Sequence, residues 1–150
     1  MSIMLTDGGA SLVLTKFFNG TVPANGLGLT NANNLLLKLY INNITPSDTD
    51  IASAYTEITD GDGGYADKEL IAANFVVSIV SNIAQAAYAQ QNFTFTSALT
   101  AGATVYGYYI VNSDGALIYA ERAAVAFTPI APGDAILFTP VFQLSKGTPT

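Results

Sequence analysis

The sequence predicts an all-β protein, an antiparallel β-sandwich or jelly roll preceded by a short N-terminal helix and an extended arm. Three observations lead there. Short apolar or alternating runs recur along the chain, and Gly, Asn, Asp and Pro clusters separate them, as in a protein of many short strands. Half of the residues are hydrophobic and only 11% are charged, below the roughly 25% of ordinary soluble domains, which describes a packed chain rather than a disordered one. Cysteine is absent, so no disulfide framework exists and the fold must stand on packing or on oligomerisation.

At 150 residues the chain is read as a single domain organised as 1–34, a helix and arm, and 35–150, the sandwich. Residues 10–18 place Leu12, Phe17 and Phe18 near one helical face, with Asn19-Gly20 as a C-terminal cap. Residues 19–34, rich in Gly, Asn and Thr, read as a loop or arm. Leu35 to Ile41 alternates as a strand, with Leu35, Leu37, Leu39 and Ile41 facing one way and Lys38 and Tyr40 the other. Residues 42–50 are turn chemistry, and 51–69 a polar connection anchored by Ile51, Ala54, Tyr55 and Ile58, with a Gly-rich turn in its middle. Leu70 to Val80 is a strand on its β-branched content, although Val76, Ile79, Val80 and Ile83 would also fit a helix face. Gln85 to Ala89 and Phe93 to Thr96 are further short strands, the second with Phe93 and Phe95 on one face.

The run from Thr104 to Ala123 is the centre of the fold. Two strand-like segments flank Asp114-Gly115, a dipeptide suited to a two-residue hairpin loop. That loop sets Val111 opposite Ile118, Ile110 opposite Tyr119, Tyr109 opposite Ala120 and Tyr108 opposite Glu121. Val105, Tyr109 and Val111 then share one face, and Tyr106, Tyr108 and Ile110 the other, so the strand is covered on both sides. Ala135 to Leu144 is a last strand, with Pro140 requiring an edge position or a bulge, and the tail KGTPT is loose.

Composition excludes several kinds of chemistry. Without histidine or cysteine there are no Ser-His-Asp or Cys-His sites and no zinc site built from those ligands. The basic residues Lys16, Lys38, Lys68, Arg122 and Lys146 are scattered singly in a chain of net charge −6, so nucleic-acid binding is not expected. From Leu70 to Ser113 the chain is uncharged, but polar residues interrupt every window of ~20 residues and argue against a membrane span. The first residues lack a basic segment and reach Asp7 too early for a secretory signal.

Candidate sites are few. Asp60 and Asp62 open a segment that begins like a calcium loop, but Ile71 stands where a twelfth-position Glu belongs, so a solvated acidic loop or a docking surface for a basic partner is the simpler reading. Glu57, Glu69 and Glu121 are the only glutamates and offer no evident acid–base pair; Glu121-Arg122 reads as a local ion pair or an edge charge. No catalytic residue and no cofactor is expected. Tyr106, Tyr108 and Tyr119 converge on the hairpin, as core residues or as a subunit contact, because tyrosine buries its ring while its hydroxyl bonds.

The order of blocks carries a resemblance. LKLYINNITPSDTD is followed by a Tyr-Thr-Glu segment, GGYADKEL, NFTFT, VYGYYIVNSDGALIYAERA and PGDAILFTPVFQLS. Over roughly residues 35–145 this succession resembles the small cysteine-free β-sandwich virion proteins of tailed bacteriophages, several of which are jelly-roll capsid cement or decoration proteins. The resemblance implies a structural protein on the capsid surface that binds the major capsid protein and stabilises the head across subunit boundaries. It also implies a homo-oligomer, with a trimer favoured and the segment 19–34 able to order on docking. The alternative is a tail, baseplate or fibre module binding a receptor or glycan.

Overall fold

The computed structural model of the chain describes residues 13–15 and 34–144. Residues 13–15 are helical; the rest of the expected helix, the arm over 19–33 and the C-terminal tail lie outside the described residues. The described residues form antiparallel sheets, and the all-β class stands. They fall into two compact units. One comprises Asn34–Leu70 and Gln90–Phe138; the other includes Ile71–Ala89 and residues 139–144.

The larger unit is built on a four-stranded sheet in the order β2-β1-β6-β7, where β1 is Leu35–Tyr40, β2 Lys68–Leu70, β6 Val105–Val111 and β7 Leu117–Phe127. The alternation in β1 sends Leu35, Leu37 and Leu39 to one face, where all three are fully buried. Each such leucine stabilises the fold by roughly 1.5–3 kcal/mol relative to exposure. Strand register brings Ile110 opposite Leu37 and Tyr108 opposite Leu39 on this face. Strands β5 (Gln91–Thr94) and β8 (Ala135–Phe138) pair with each other, and Phe138 meets Tyr108 with ring centroids 4.7 Å apart. Phe93 and Phe95 are both buried, as their alternation requires.

The opposite face of the sheet is covered too. Tyr40, on the face it shares with Lys38, is fully buried in a cluster with Tyr55, Tyr109 and Val111. Its ring packs edge-on to Tyr55 at 5.1 Å, and Tyr55 stacks on Tyr109 at 5.2 Å. Gly107 makes room for it: a Cβ there would lie 2.7 Å from the Tyr40 hydroxyl and 2.1 Å from the Glu121 carbonyl oxygen. Of the proposed anchors in 51–69, Tyr55 and Ile58 are buried, whereas Ile51, the extended residue before the one-turn helix at Ala52–Ala54, is 67% exposed.

In the β6–β7 hairpin, Tyr108 pairs with Glu121, Tyr109 with Ala120 and Ile110 with Tyr119, as the sequence predicts. The loop differs. Asn112 N–H donates to the Ala116 carbonyl and Gly115 N–H to the Asn112 carbonyl, so Ser113-Asp114-Gly115 forms a three-residue loop with Gly115 at φ 79°. Asn112 Oδ1 accepts the N–H groups of Asp114 and Ala116 at 3.0 and 2.8 Å and fixes this closure. Val111 therefore pairs with Leu117 rather than Ile118, and a bulge at Ile118 restores the register beyond it. A second irregularity lies between Val105 and Gly107.

The smaller unit holds a three-stranded sheet, β3-β4-β9, formed by Val76–Val80, Ile83–Ala87 and Val141–Leu144. The strand expected over 70–80 is interrupted: a one-turn helix at Ala72–Asn74 separates β2 from β3, with Asn74 N–H donating to the Ile71 carbonyl. Ser81 and Asn82, at φ 50° and 61°, turn β3 tightly into β4 without a glycine. The last expected strand is two strands. Thr139-Pro140 separates β8 from β9, because proline has no N–H for a ladder, and the Pro140 carbonyl instead accepts Tyr88 N–H. Phe75 is buried between the rings of Tyr88 and Phe142 at 4.8 and 5.5 Å.

Candidate functional site

The densest polar constellation lies on the larger unit, along the outer edge of β1. The segment around Glu57 runs antiparallel to the end of β1: Ile41 N–H donates to the Thr56 carbonyl and Ile58 N–H to the Leu39 carbonyl. Between this stretch and β2 the ladder has a gap, which the Tyr65 hydroxyl fills by accepting Leu39 N–H at 3.1 Å and donating to Glu57 Oε1 at 3.2 Å. Lys38 Nζ donates to Glu57 Oε2 at 2.9 Å and lies 3.0 Å from Asp67 Oδ2, and Tyr109 donates to Glu57 Oε2 at 3.3 Å. One glutamate thus collects three donors from β1, β6 and the Gly-rich loop.

The electrostatics of this group are those of a clamp. Burial tends to lower the Lys38 pKa, but its bonds to Glu57 and Asp67 and their charges outweigh it and hold the ammonium above its ordinary value. Burial, reinforced by the Glu57 charge, pushes the Tyr109 hydroxyl up to about 12 and raises Tyr65 as well. All three groups are moved away from neutral pH, so they keep their protons, whereas a general acid or base works with a pKa near the operating pH.

The tyrosines singled out in the sequence separate. Tyr108 is buried and donates to Glu121 Oε2 at 2.6 Å, and the half-buried Tyr119 donates to the same oxygen at 3.3 Å. Burial, then the Glu121 bond, raises Tyr108; burial and the Glu121 charge raise Tyr119. Tyr106 instead packs against the Tyr40–Tyr55–Tyr109 cluster, under the Arg122 guanidinium at 5.2 Å, because the irregularity beside it breaks the strict alternation of faces. Arg122 donates to the Ile44 carbonyl at 2.5 Å and Asn43 Oδ1 at 2.7 Å, while Glu121 binds the two tyrosines. Adjacent strand residues point to opposite faces, so this pair makes two separate contacts rather than one local ion pair.

Asp62 accepts the Thr100 N–H and hydroxyl at 3.0–3.1 Å and ties the Gly-rich turn to the loop before β6; Asp60 stands exposed beside it. Among the described residues, no three acidic, histidine or cysteine side chains are grouped to hold a metal ion. A shallow groove of about 350 Å³ lies between residues 46–50 and the start of β7, lined by Ser47, Asp48, Asp50, Ile118 and Tyr119. Asp50 is already engaged by Tyr55 and by Ser47 N–H. No helix among the described residues is long and apolar enough to cross a membrane.

Sequence reasoning missed the Lys38–Glu57–Asp67 clamp, whose members are up to 29 positions apart; the spacing of Tyr65 and Glu57 alone does not signal that both return to β1. Comparison with protein-family models, curated proteins and solved structures gives no match.

Proposed function

We propose that this chain is a bacteriophage virion structural protein, a cement or decoration protein of the capsid surface that binds the major capsid protein as a homo-oligomer and acts without catalysis. The observation that carries the reading is the distribution of exposed apolar side chains over both units. Val125, Ile130 and Leu137 are 80, 76 and 52% exposed on one, and Val76, Ile79 and Val80 are 67, 46 and 49% exposed on the other. A protein that stabilises a shell across subunit boundaries needs more than one adhesive surface, and binding only the assembled shell stabilises that state by mass action. The block order from LKLYINNITPSDTD to PGDAILFTPVFQLS supports the same reading, and the clamp and tyrosine carboxylate contacts supply rigidity rather than turnover.

A tail, baseplate or fibre module is the second reading, favoured by the groove beside β7, where Tyr119 and the Ser47–Asp50 segment offer a sugar ring an aromatic face and hydrogen-bond acceptors. Immunogold electron microscopy of virus particles with an antibody against this chain decides. Gold spread regularly over the head is the expected result; gold confined to the tail moves the protein to the second reading, and labelling of neither overturns both.

A further inference from the structure

Sheet edges in this chain are treated unequally. In the larger unit, the edge strand β2 is three residues long and carries Lys68 and Glu69, and the edge strand β7 carries Glu121, Arg122 and two register irregularities. Short length, charge and bulges are the ordinary means of preventing edge-to-edge pairing. Strand β3 in the smaller unit has none of them. It is Val-Val-Ser-Ile-Val, pairs with β4 without a register shift, and no described strand pairs with its outer edge. Val76, Ile79 and Val80 are exposed at 67, 46 and 49%.

The strand is also self-complementary. When two copies of an antiparallel strand meet across a two-fold axis normal to the sheet, each residue keeps its face. An axis through Ser78 sets Ser78 opposite its own copy and Val76 opposite Val80 on one face, and Val77 opposite Ile79 on the other. Every apolar cross-strand pair joins two β-branched side chains, and the only polar pair joins two hydroxyls. No described residue of this unit is charged, so the approach brings no like charges together, whereas the other unit holds every charged residue of the chain except Asp7, Lys16 and Lys146.

We propose that β3 is a homodimerisation edge, pairing antiparallel with β3 of a second copy about Ser78 and joining two three-stranded sheets into one of six strands. This contact is isologous and generates two-fold symmetry, so it does not by itself build a trimer, and it does not depend on where in a virion the protein acts. Five residues a side make a small interface, so the dimer exchanges readily.

The test uses the absence of native cysteine. Directly opposite residues in an antiparallel pair lie about 4.5–5.5 Å apart at Cα, within disulfide range. Ser78→Cys in the full chain should give a covalent dimer on mild oxidation. Val76→Cys or Val80→Cys alone should not, since each is displaced from its own copy by roughly 13 Å along the strand. Mixing the Val76→Cys and Val80→Cys proteins should cross-link one to the other. In sedimentation velocity the wild type should approach twice the monomer mass as concentration rises, and Ser78→Lys should remain a monomer with unchanged circular dichroism; if that variant misfolds, Val76→Lys serves in its place. A wild type that stays monomeric at high concentration, cross-linking that ignores the register, or an oligomer indifferent to the lysine variants overturns the proposal.

Discussion

The two units of this protein are held by different physics. The larger one concentrates charge and aromatic hydroxyls: Glu57 is gripped by Lys38, Tyr65 and Tyr109, and Glu121 by Tyr108 and Tyr119. The smaller one, over its described residues, has no charge, and its polar contacts are modest, such as Tyr88 accepting Ile71 N–H at 3.2 Å and Gln143 reaching Gln85 at 3.5 Å. Charge-assisted networks fix geometry because their donors and acceptors are directional; dispersion between small apolar side chains does not discriminate one apolar neighbour from another. The first unit can therefore hold one rigid shape, while the second can accept a further apolar surface. The larger unit carries its exposed Val125, Ile130 and Leu137 on a charge-fixed frame, so the two units differ in how they are held rather than in whether they expose apolar surface.

The contrast can be tested from its strongest point downward. Gly107→Val drives a side chain into the Glu121 carbonyl and the Tyr40 ring and should destabilise the larger unit by about 3 kcal/mol or more. Urea unfolding followed by tyrosine absorbance reads that unit, since Tyr88 is the only tyrosine of the chain outside it. Lys38→Met leaves Glu57 and Asp67 facing each other without their cation and should cost about 2 kcal/mol in the same measurement. An unchanged midpoint would mean that the clamp is dispensable.

Alkaline titration separates the units by another route. Lys38, Tyr55, Tyr65, Tyr108 and Tyr109 all have folded pKa values above their unfolded ones, so their contribution is complete below about pH 10 and is lost as pH rises toward the folded values, about 12 for Tyr109. Stability should be flat through neutral pH and fall above pH ~10, and Tyr109→Phe should make that fall shallower. Hydrogen exchange at alkaline pH should show protection in the larger unit lost first.

Tyr40→Phe is a smaller effect of opposite sign. The buried Tyr40 hydroxyl has no hydrogen-bond partner among the described residues, so removing it should stabilise by up to about 1 kcal/mol in thermal unfolding. Smallest of all is the response to calcium. Asp62 is occupied by Thr100, so calcium at about 5 mM, above the weakest module affinities, should leave the melting temperature unmoved, and a rise of several degrees would restore Asp60 and Asp62 as ligands.

What could be read from the residues follows from the range of the interaction. The alternation of Leu35, Leu37 and Leu39 and the body of the β6–β7 register were legible because a strand's faces repeat every two residues and a hairpin joins near neighbours. The Ser81-Asn82 turn was not, because neither residue is the glycine that normally marks left-handed backbone. The break at Thr139-Pro140 leaves a signal in the proline, but an edge position or a bulge within one strand accounts for that signal equally well. The clamp left none: Tyr109 meets Glu57 from 52 positions away, and the buried role of Tyr40 depends on the cluster that forms around it.

The end of the β6–β7 hairpin has a consequence for how the molecule tolerates change. A two-residue closure on Asp114-Gly115 without a bulge and the observed three-residue closure with a bulge at Ile118 both set Ile110 opposite Tyr119. They are alternative spellings of one hairpin, and every pair between there and Gly107 reads identically in either. Asn112, through its two side-chain bonds, selects the longer spelling. A substitution there would rewrite the tip, the Val111–Leu117 pair and the adjoining lip of the groove while leaving the pairs from Ile110 to Gly107 as they are, so the change stops at the end of the hairpin where Leu117 meets the aromatic cluster.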